Sequence, residues 1–168
     1  LGFKNGTEGA SLGKDAFPIY EVSLRDLRSF TADKDVNNLL VDTHQILFPI
    51  EVNGEVSASV TVRSAIKRTE GTEQVDQEEL WRPTRWGLYN LITQLTTERK
   101  RLNNDTAGLK DFRLVSIPAL NRNFLGYEDG TDIKLVSLVP QKHLEPFPAK
   151  QVFLDLVPEA KSVDGRPR

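Results

Sequence analysis

Apolar and polar residues alternate most regularly between Gln45 and Ile66, in the run QILFPIEVNGEVSASVTVRSAI. Ile46, Phe48, Ile50 and Val52 share one face of the first half, and Val56, Ala58, Val60 and Val62 share one face of the second. Asn53-Gly54 lies between them, and Asn-Gly between alternating runs signals a β-hairpin. A two-residue loop would pair Val52 with Glu55 and Ile50 with Ser57, which mixes apolar and polar residues on both faces. A three-residue loop, Val52-Asn53-Gly54, pairs Ile50 with Val56, Phe48 with Ala58 and Ile46 with Val60. One face is then wholly apolar, so the pattern predicts this register, with Gly54 left-handed in a G1 bulge. Pro49 falls on the other, polar face. It has no N–H to donate, which places this strand at an edge or beside a gap in pairing.

Further along, the period changes to that of a helix. Leu88, Leu91, Ile92 and Leu95 stand at i, i+3, i+4 and i+7, which predicts a long helix from about Thr84 to Leu102. Pro83 suits its first turn. Arg99, Lys100 and Arg101 suit its C-terminal end, and Asn103-Asn104-Asp105 stops it. Upstream, Phe17 to Val22 reads as a short strand. Ser23, with Asp26 three residues on, makes an N-cap for a short helix carrying Leu24, Leu27 and Phe30.

The last third reads as strands. Asp111 to Leu120 and Ile133 to Val139 carry apolar residues on both parities, as strands covered on both faces do. Between them, Asn121 to Tyr127 reads as a loop or bulge, Gly126 marks a close backbone approach, and Asp129-Gly130 marks a turn. Pro140 to Pro148 is a connector, and Gln151 to Val157 a final strand. Lys67 to Glu79 has no apolar period and reads as a charged loop. Residues 1–16, with four spaced glycines, read as a flexible leader. Residues 158–168 read as an exposed tail, leaving one domain over 17–157. One main helix among runs of strands argues an α+β fold. The expected architecture is a curved antiparallel sheet packed on one long helix, in a cystatin-like or NTF2-like layout, plus the short N-terminal helix.

Composition narrows function mainly by exclusion. The chain has 168 residues, 38% apolar and 27% charged, with a formal net charge of −2. That balance argues against a nucleic-acid partner, which would call for clustered positive charge. With no cysteine, thiol catalysis and thiolate metal sites are excluded. No apolar run reaches the roughly 18 residues that read as a membrane span. The chain contains no methionine and begins at Leu1, which reads as a processed product and leans toward an extracytoplasmic setting, periplasmic or secreted.

No catalytic signature stands out. There is no GxSxG, no GxxxxGK[ST] and no GxGxxG. The two histidines, His44 and His143, read as loop or surface residues. Asp33 to Asn38 resembles the first half of an EF-hand loop, but position twelve is His44 rather than a bidentate Glu. A solvated Asx-rich turn is the better reading, and no metal or cofactor is expected. Two N-x-T sequons, at Asn5 and Asn104, read as chance matches.

The most unusual local composition is Leu80-Trp81-Arg82-Pro83-Thr84-Arg85-Trp86, which holds both tryptophans of the chain. An aromatic platform beside guanidinium donors suits a sugar, a small anion or a partner carboxylate. Trp81, Arg82, Arg85 and Trp86 are therefore the candidate ligand- or partner-binding residues. The structural alternative has Trp86 packed on the sheet with the Leu88 stripe and Trp81 clamping the helix start. The pattern favours that alternative for Trp86 and leaves Trp81 open. The expectation for the whole is a non-catalytic binding or protein-interaction domain. The alternative is a small hydrolase- or isomerase-like enzyme with a carboxylate or Tyr site in the concave face of the sheet.

Overall fold

The computed structural model describes residues 10–67, 78–106, 109–139 and 142–163. Nine strands, β1 (Ala10–Leu12), β2 (Phe17–Glu21), β3 (Val41–Val52), β4 (Glu55–Lys67), β5 (Glu78–Trp86), β6 (Lys110–Ile117), β7 (Arg122–Asp129), β8 (Asp132–Ser137) and β9 (Phe147–Pro148), form one curved sheet. Its order is β5-β4-β3-β2-β6-β7-β8-β9, with β1 also paired to β3. All pairs are antiparallel except β2 with β6. Among the described residues three α-helices complete the fold: α1 (Leu24–Arg28), α2 (Tyr89–Asp105) and α3 (Ala149–Ser162). The α+β class read from the sequence is the observed one.

The β3–β4 hairpin corrects the expected register. Val52 pairs with Glu55 across a two-residue turn. Asn53 and Gly54 both have positive φ, 54° and 82°, as a type I′ turn requires. One residue further in, a bulge shifts the register, and Ile50 faces Ala58, Phe48 faces Val60 and Ile46 faces Val62. The apolar side chains do meet, but Ser57 supplies the extra residue, not a longer loop. Pro49 is buried, not on a solvent face. It lies where the partner of β3 changes from β2 to β1, and its carbonyl accepts from the Gly13 N–H at 2.8 Å. A gap in pairing at Pro49 is thus what the missing donor produces.

Two cores lie on the two sides of the sheet. On one, α2 packs Ile92 and Leu95 against Phe17, Leu47, Leu114 and Leu125. On the other, α1 and α3 pack Leu27, Phe153 and Ala160 against Val115, Ile117 and Leu135. Ser23 caps α1 by accepting from the Asp26 N–H. Arg28 ties α1 to the end of α3 by donating to the carbonyls of Ala160 and Val163.

Several predicted elements change. Thr84 to Trp86 belong to β5, and α2 begins only at Tyr89. Leu88 precedes the helix in a left-handed conformation and is exposed, and Leu91 is half-buried; Ile92 and Leu95 are the buried part of the stripe. The expected loop at Asn121 to Tyr127 is mostly strand β7, paired on both sides. Gly126 is a close approach there: a Cβ would meet Val115 Cγ2 at 3.1 Å and Arg113 Cγ at 3.2 Å. Gln151 to Val157 is helical, and α3 continues through Pro158 to Ser162 with Ala160 buried, so the ordered fold extends past 157. At the other end, β1 brings residues 10–12 of the expected leader into the sheet. Lys67, Glu78 and Glu79 lie in strands, and the rest of the expected charged loop, like Asn5, lies outside the described residues.

Candidate functional site

Strand β5 is the last strand of the sheet, pairing with β4 on one side only among the described residues. It carries the whole Trp/Arg cluster. Trp86 lies opposite Val60, Arg85 opposite Thr61, Pro83 opposite Val62, Arg82 opposite Arg63 and Trp81 opposite Ser64. A bulge at Thr84 separates the two halves, where Thr84 Oγ1 donates to the Thr61 carbonyl at 3.3 Å. Pro83 is at home beside such a bulge, because no ladder hydrogen bond is asked of it there.

Strand alternation then sorts the cluster. Trp81, Pro83 and Trp86 stand on one side of the sheet, while Arg82 and Arg85 leave it on the other, the side of α2. Trp86 is 58% exposed and Trp81 49% exposed. The expectation that Trp86 packs with the Leu88 stripe is therefore overturned. The chain turns at Gly87, with φ 111°, and Leu88 starts away from the sheet. Arg63, Arg82 and Arg85 are all exposed. None of the three makes an ion pair among the described residues.

The tryptophans extend an apolar surface. Ile46, Phe48 and Ile50 of β3 are half-buried on the same side, and Ala58 and Val60 of β4 are buried among them. The opposite side of this ribbon, facing α2, carries Leu47, Pro49, Ser59 and Thr61. Ser59 holds the turn into α2: its hydroxyl donates to the Gly87 carbonyl, and its own carbonyl accepts from the Gly87 N–H at 3.1 Å.

A second polar cluster has no sequence signal. Glu98, on α2, is buried. Its Oε1 meets His143 Nδ1 at 2.5 Å, and its Oε2 accepts from Arg101 Nε at 2.9 Å. Arg101 also donates to the Leu144 carbonyl, 3.3 Å away. The connector at 142–145 is thereby held to α2. The His143 ring is largely exposed. Tyr127 is buried in the α2-side core, and burial, reinforced by the negative charge of Asp129, pushes its hydroxyl above the ordinary tyrosine range. The ordered pair Glu98–His143 lies 45 positions apart in sequence and in no recognisable motif, which is why it escapes sequence reading.

The remaining candidates resolve simply. Asp35 accepts from the Asn37 N–H at 2.9 Å and caps a short 3-10 turn, as an Asx turn does. His44 is exposed, in a bulge of β3 where its N–H donates to Asp42. An open groove of about 490 Å³ separates the 33–37 turn from the start of α3, with Asp33, Asp35 and Asp132 set against Lys34 and Lys150. Among the described residues, no group of three or more His, Asp or Glu side chains is placed to hold a metal ion. No helix there is long and apolar enough to cross a membrane.

The architecture defines an α+β domain with a large, mostly antiparallel, curved sheet. Comparison with protein-family models, with curated proteins and with solved structures finds no match to the chain.

Proposed function

We propose that the protein is a non-catalytic, protein-interaction domain whose partner docks at β5. One observation carries this reading: both tryptophans of the chain stand about half exposed on the terminal strand of the sheet, beside two exposed arginines. Large exposed aromatics are costly to leave in water, and Trp and Arg are the side chains most enriched where partners bind. The edge of β5, without a second partner among the described residues, offers a row of backbone donors and acceptors to an incoming chain as well.

The test is site-specific photo-crosslinking in an extract of the native cells, with the crosslinking residue in place of Arg82. A discrete protein adduct is expected, lost on Trp81→Ala and absent when the crosslinker replaces Thr131. No adduct at Arg82, or an adduct indifferent to Trp81, overturns the reading.

A second reading has one observation behind it. In a hydrolase- or isomerase-like enzyme built on a cystatin-like or NTF2-like layout, the buried Glu98 carboxylate would orient the exposed His143 imidazole for proton transfer. No nucleophile or enclosed pocket is seen beside that ring among the described residues, so the pair is better accounted for as the clamp on the 142–145 connector.

A further inference from the structure

Arginines gather on the α2 side of the β4–β5 pair, away from the tryptophans. Arg63 stands directly opposite Arg82, and Arg85 stands opposite Thr61. Thr61 is buried on the α2 side, and Arg63, two positions on, shares its parity. The three guanidiniums therefore leave one face of the sheet from adjacent positions. Cross-strand partners lie about 5 Å apart, and the next position on the same face about 7 Å along the strand. Like charges set directly opposite one another are unfavourable. Among the described residues nothing offsets them, since all three arginines are exposed and none forms an ion pair there. The helix on that side, α2, starts beside them, tied through Gly87 to Ser59. It holds no carboxylate from Tyr89 to Thr97.

Resting on the reading of β5 as a partner site, we infer that the arginine patch receives an extended acidic segment of a partner protein, with carboxylates at alternate positions. Charge sets the chemistry, because a guanidinium presents a planar fork that meets a carboxylate in two parallel hydrogen bonds. Spacing sets the conformation. Arg82 and Arg85 face β4 residues two positions apart, about 7 Å, and alternate side chains of an extended chain repeat at the same distance on one face. A segment lying along β5 thus brings one carboxylate to each arginine, with Arg63 as a second donor behind Arg82. The edge itself favours recognition through side chains. Pro83 has no N–H and the register shifts at Thr84, so backbone pairing alone is weak there. The patch is also small: Glu78 and Glu79 stand at the other end of β5, and the net charge of the chain is −2. A nucleic acid or an anionic membrane calls for a broader positive field. The β4–β5 connection carries Glu70, Glu73 and Asp76 of its own. Arg85, however, lies about 20 Å along β5 from Glu78, at the end away from that connection, which favours a carboxylate from outside the chain.

The probes are fluorescein-labelled peptides of about ten residues and equal composition, titrated into the full chain. One alternates glutamate with threonine, and the other carries its glutamates in a single block. By fluorescence anisotropy the alternating peptide is expected to bind saturably, at least about threefold tighter than the block peptide, and to weaken as salt rises. Arg82→Gln with Arg85→Gln should weaken binding at least about tenfold. Arg82→Lys with Arg85→Lys should weaken it several-fold, because an ammonium keeps the charge and loses the fork. Both variants should melt with the parent, and Lys150→Gln, at an exposed position on α3, should bind as the parent does. Equal binding of the two peptides, binding of neither, or binding that survives the loss of both arginines overturns the inference. Protection of the melting transition by tripolyphosphate but not by the alternating peptide assigns the patch to a phosphate ligand and likewise overturns it. Glu70→Gln, Glu73→Gln and Asp76→Asn together test the chain's own connection. If they lower the melting temperature, and do so no longer beside Arg82→Gln and Arg85→Gln, the arginines belong to that connection and the inference falls. If the crosslinked adduct at position 82 is unaffected by Arg63→Gln with Arg85→Gln, the acidic-segment inference fails while the β5 reading stands. If no adduct forms, the β5 reading itself fails.

Discussion

The part of the sheet built from β6, β7 and β8 carries helices on both faces, whereas among the described residues the β3–β4–β5 ribbon carries α2 on one face alone. The strands differ accordingly. In β6 and β7, neighbouring residues point into opposite cores: Leu114 and Leu125 toward α2, Val115 and Phe124 toward α3. In the ribbon, apolar side chains occupy one parity and short polar ones much of the other. The covered parity is the polar one. Ser59 and Thr61 are buried at 1% and 3% exposure, while Phe48 and Ile50 on the apolar parity are half-buried. Short hydroxyl side chains let the start of α2 approach closely and hydrogen-bond to the strand through Gly87. Alternation therefore identifies a face fit for burial without saying what buries it. Over the ribbon, α2 and the more apolar sheet surface are on opposite sides.

The largest expected effect tests that contrast through two phenylalanines. Phe153, on α3, is fully buried and meets Phe30 edge-on, with ring centroids 6.2 Å apart. Phe153→Ala should cost about 3–5 kcal/mol, the range for a large aromatic removed from a packed core. Phe48→Ala removes the same side chain from the half-covered ribbon and should cost less than about 2 kcal/mol. Urea unfolding of the two variants measures both. Equal losses would mean that the ribbon face is as well packed as the α3 core, and the contrast would disappear.

The two regions also differ in how well the sequence announces them. The β6 and β8 runs are apolar on both parities and are read correctly as doubly covered strands. The ribbon hairpin is read correctly as a hairpin, but its register is missed. A bulge at Ser57 brings the apolar residues into phase as well as a longer loop would, and nothing in the alternation separates the two devices. The helix α3 is missed because Val152 to Val157 is almost continuously apolar and Pro158 reads as its end. Its true period runs through Ala149, Phe153, Leu156 and Ala160, whose two small residues hardly register as core. Pro158 stays inside the helix on an exposed face. The Trp/Arg cluster is located correctly in sequence but assigned to the wrong element. Pro83 suits the first turn of a helix and the flank of a strand bulge equally well. What decides is the long pairing of β5 with β4, which no local signal encodes.

A smaller effect concerns pH and belongs to the doubly covered half. Arg113, in β6, donates to Glu128 of β7 at 2.6 Å and lies over the Tyr20 ring. That hydrogen bond holds the Glu128 carboxyl below its usual range. A carboxylate depressed in the folded state stabilises the fold above its unfolded pKa, and the contribution is lost as pH falls through the folded value. Glu128→Gln should therefore melt below the parent at neutral pH, and the two should converge at the acidic pH where Glu128 is protonated in the folded state as well. Melting curves that stay parallel down to that pH would remove the ion pair from the stability of this half.

The smallest expected effect on stability is at β5, and its smallness is what makes it informative. Arg82 and Arg85 are exposed and make no ion pair among the described residues. Replacing both with Ala should change stability by no more than about 0.5 kcal/mol, as for exposed charges generally. Trp81→Ala should be nearly as mild, because half of the ring is already in water. Together the three substitutions should leave the melting temperature within about 3 °C of the parent, given the usual conversion for a chain of this size. A core role for the cluster predicts the opposite, a cooperative loss comparable to that of Phe153→Ala. Differential scanning calorimetry of the triple variant separates the two. A parent-like transition means that Trp81 and two arginines are kept at the sheet edge at no benefit to the fold, and their role then lies in what approaches that edge. A collapse of the transition would return the cluster to the core and withdraw β5 as a site.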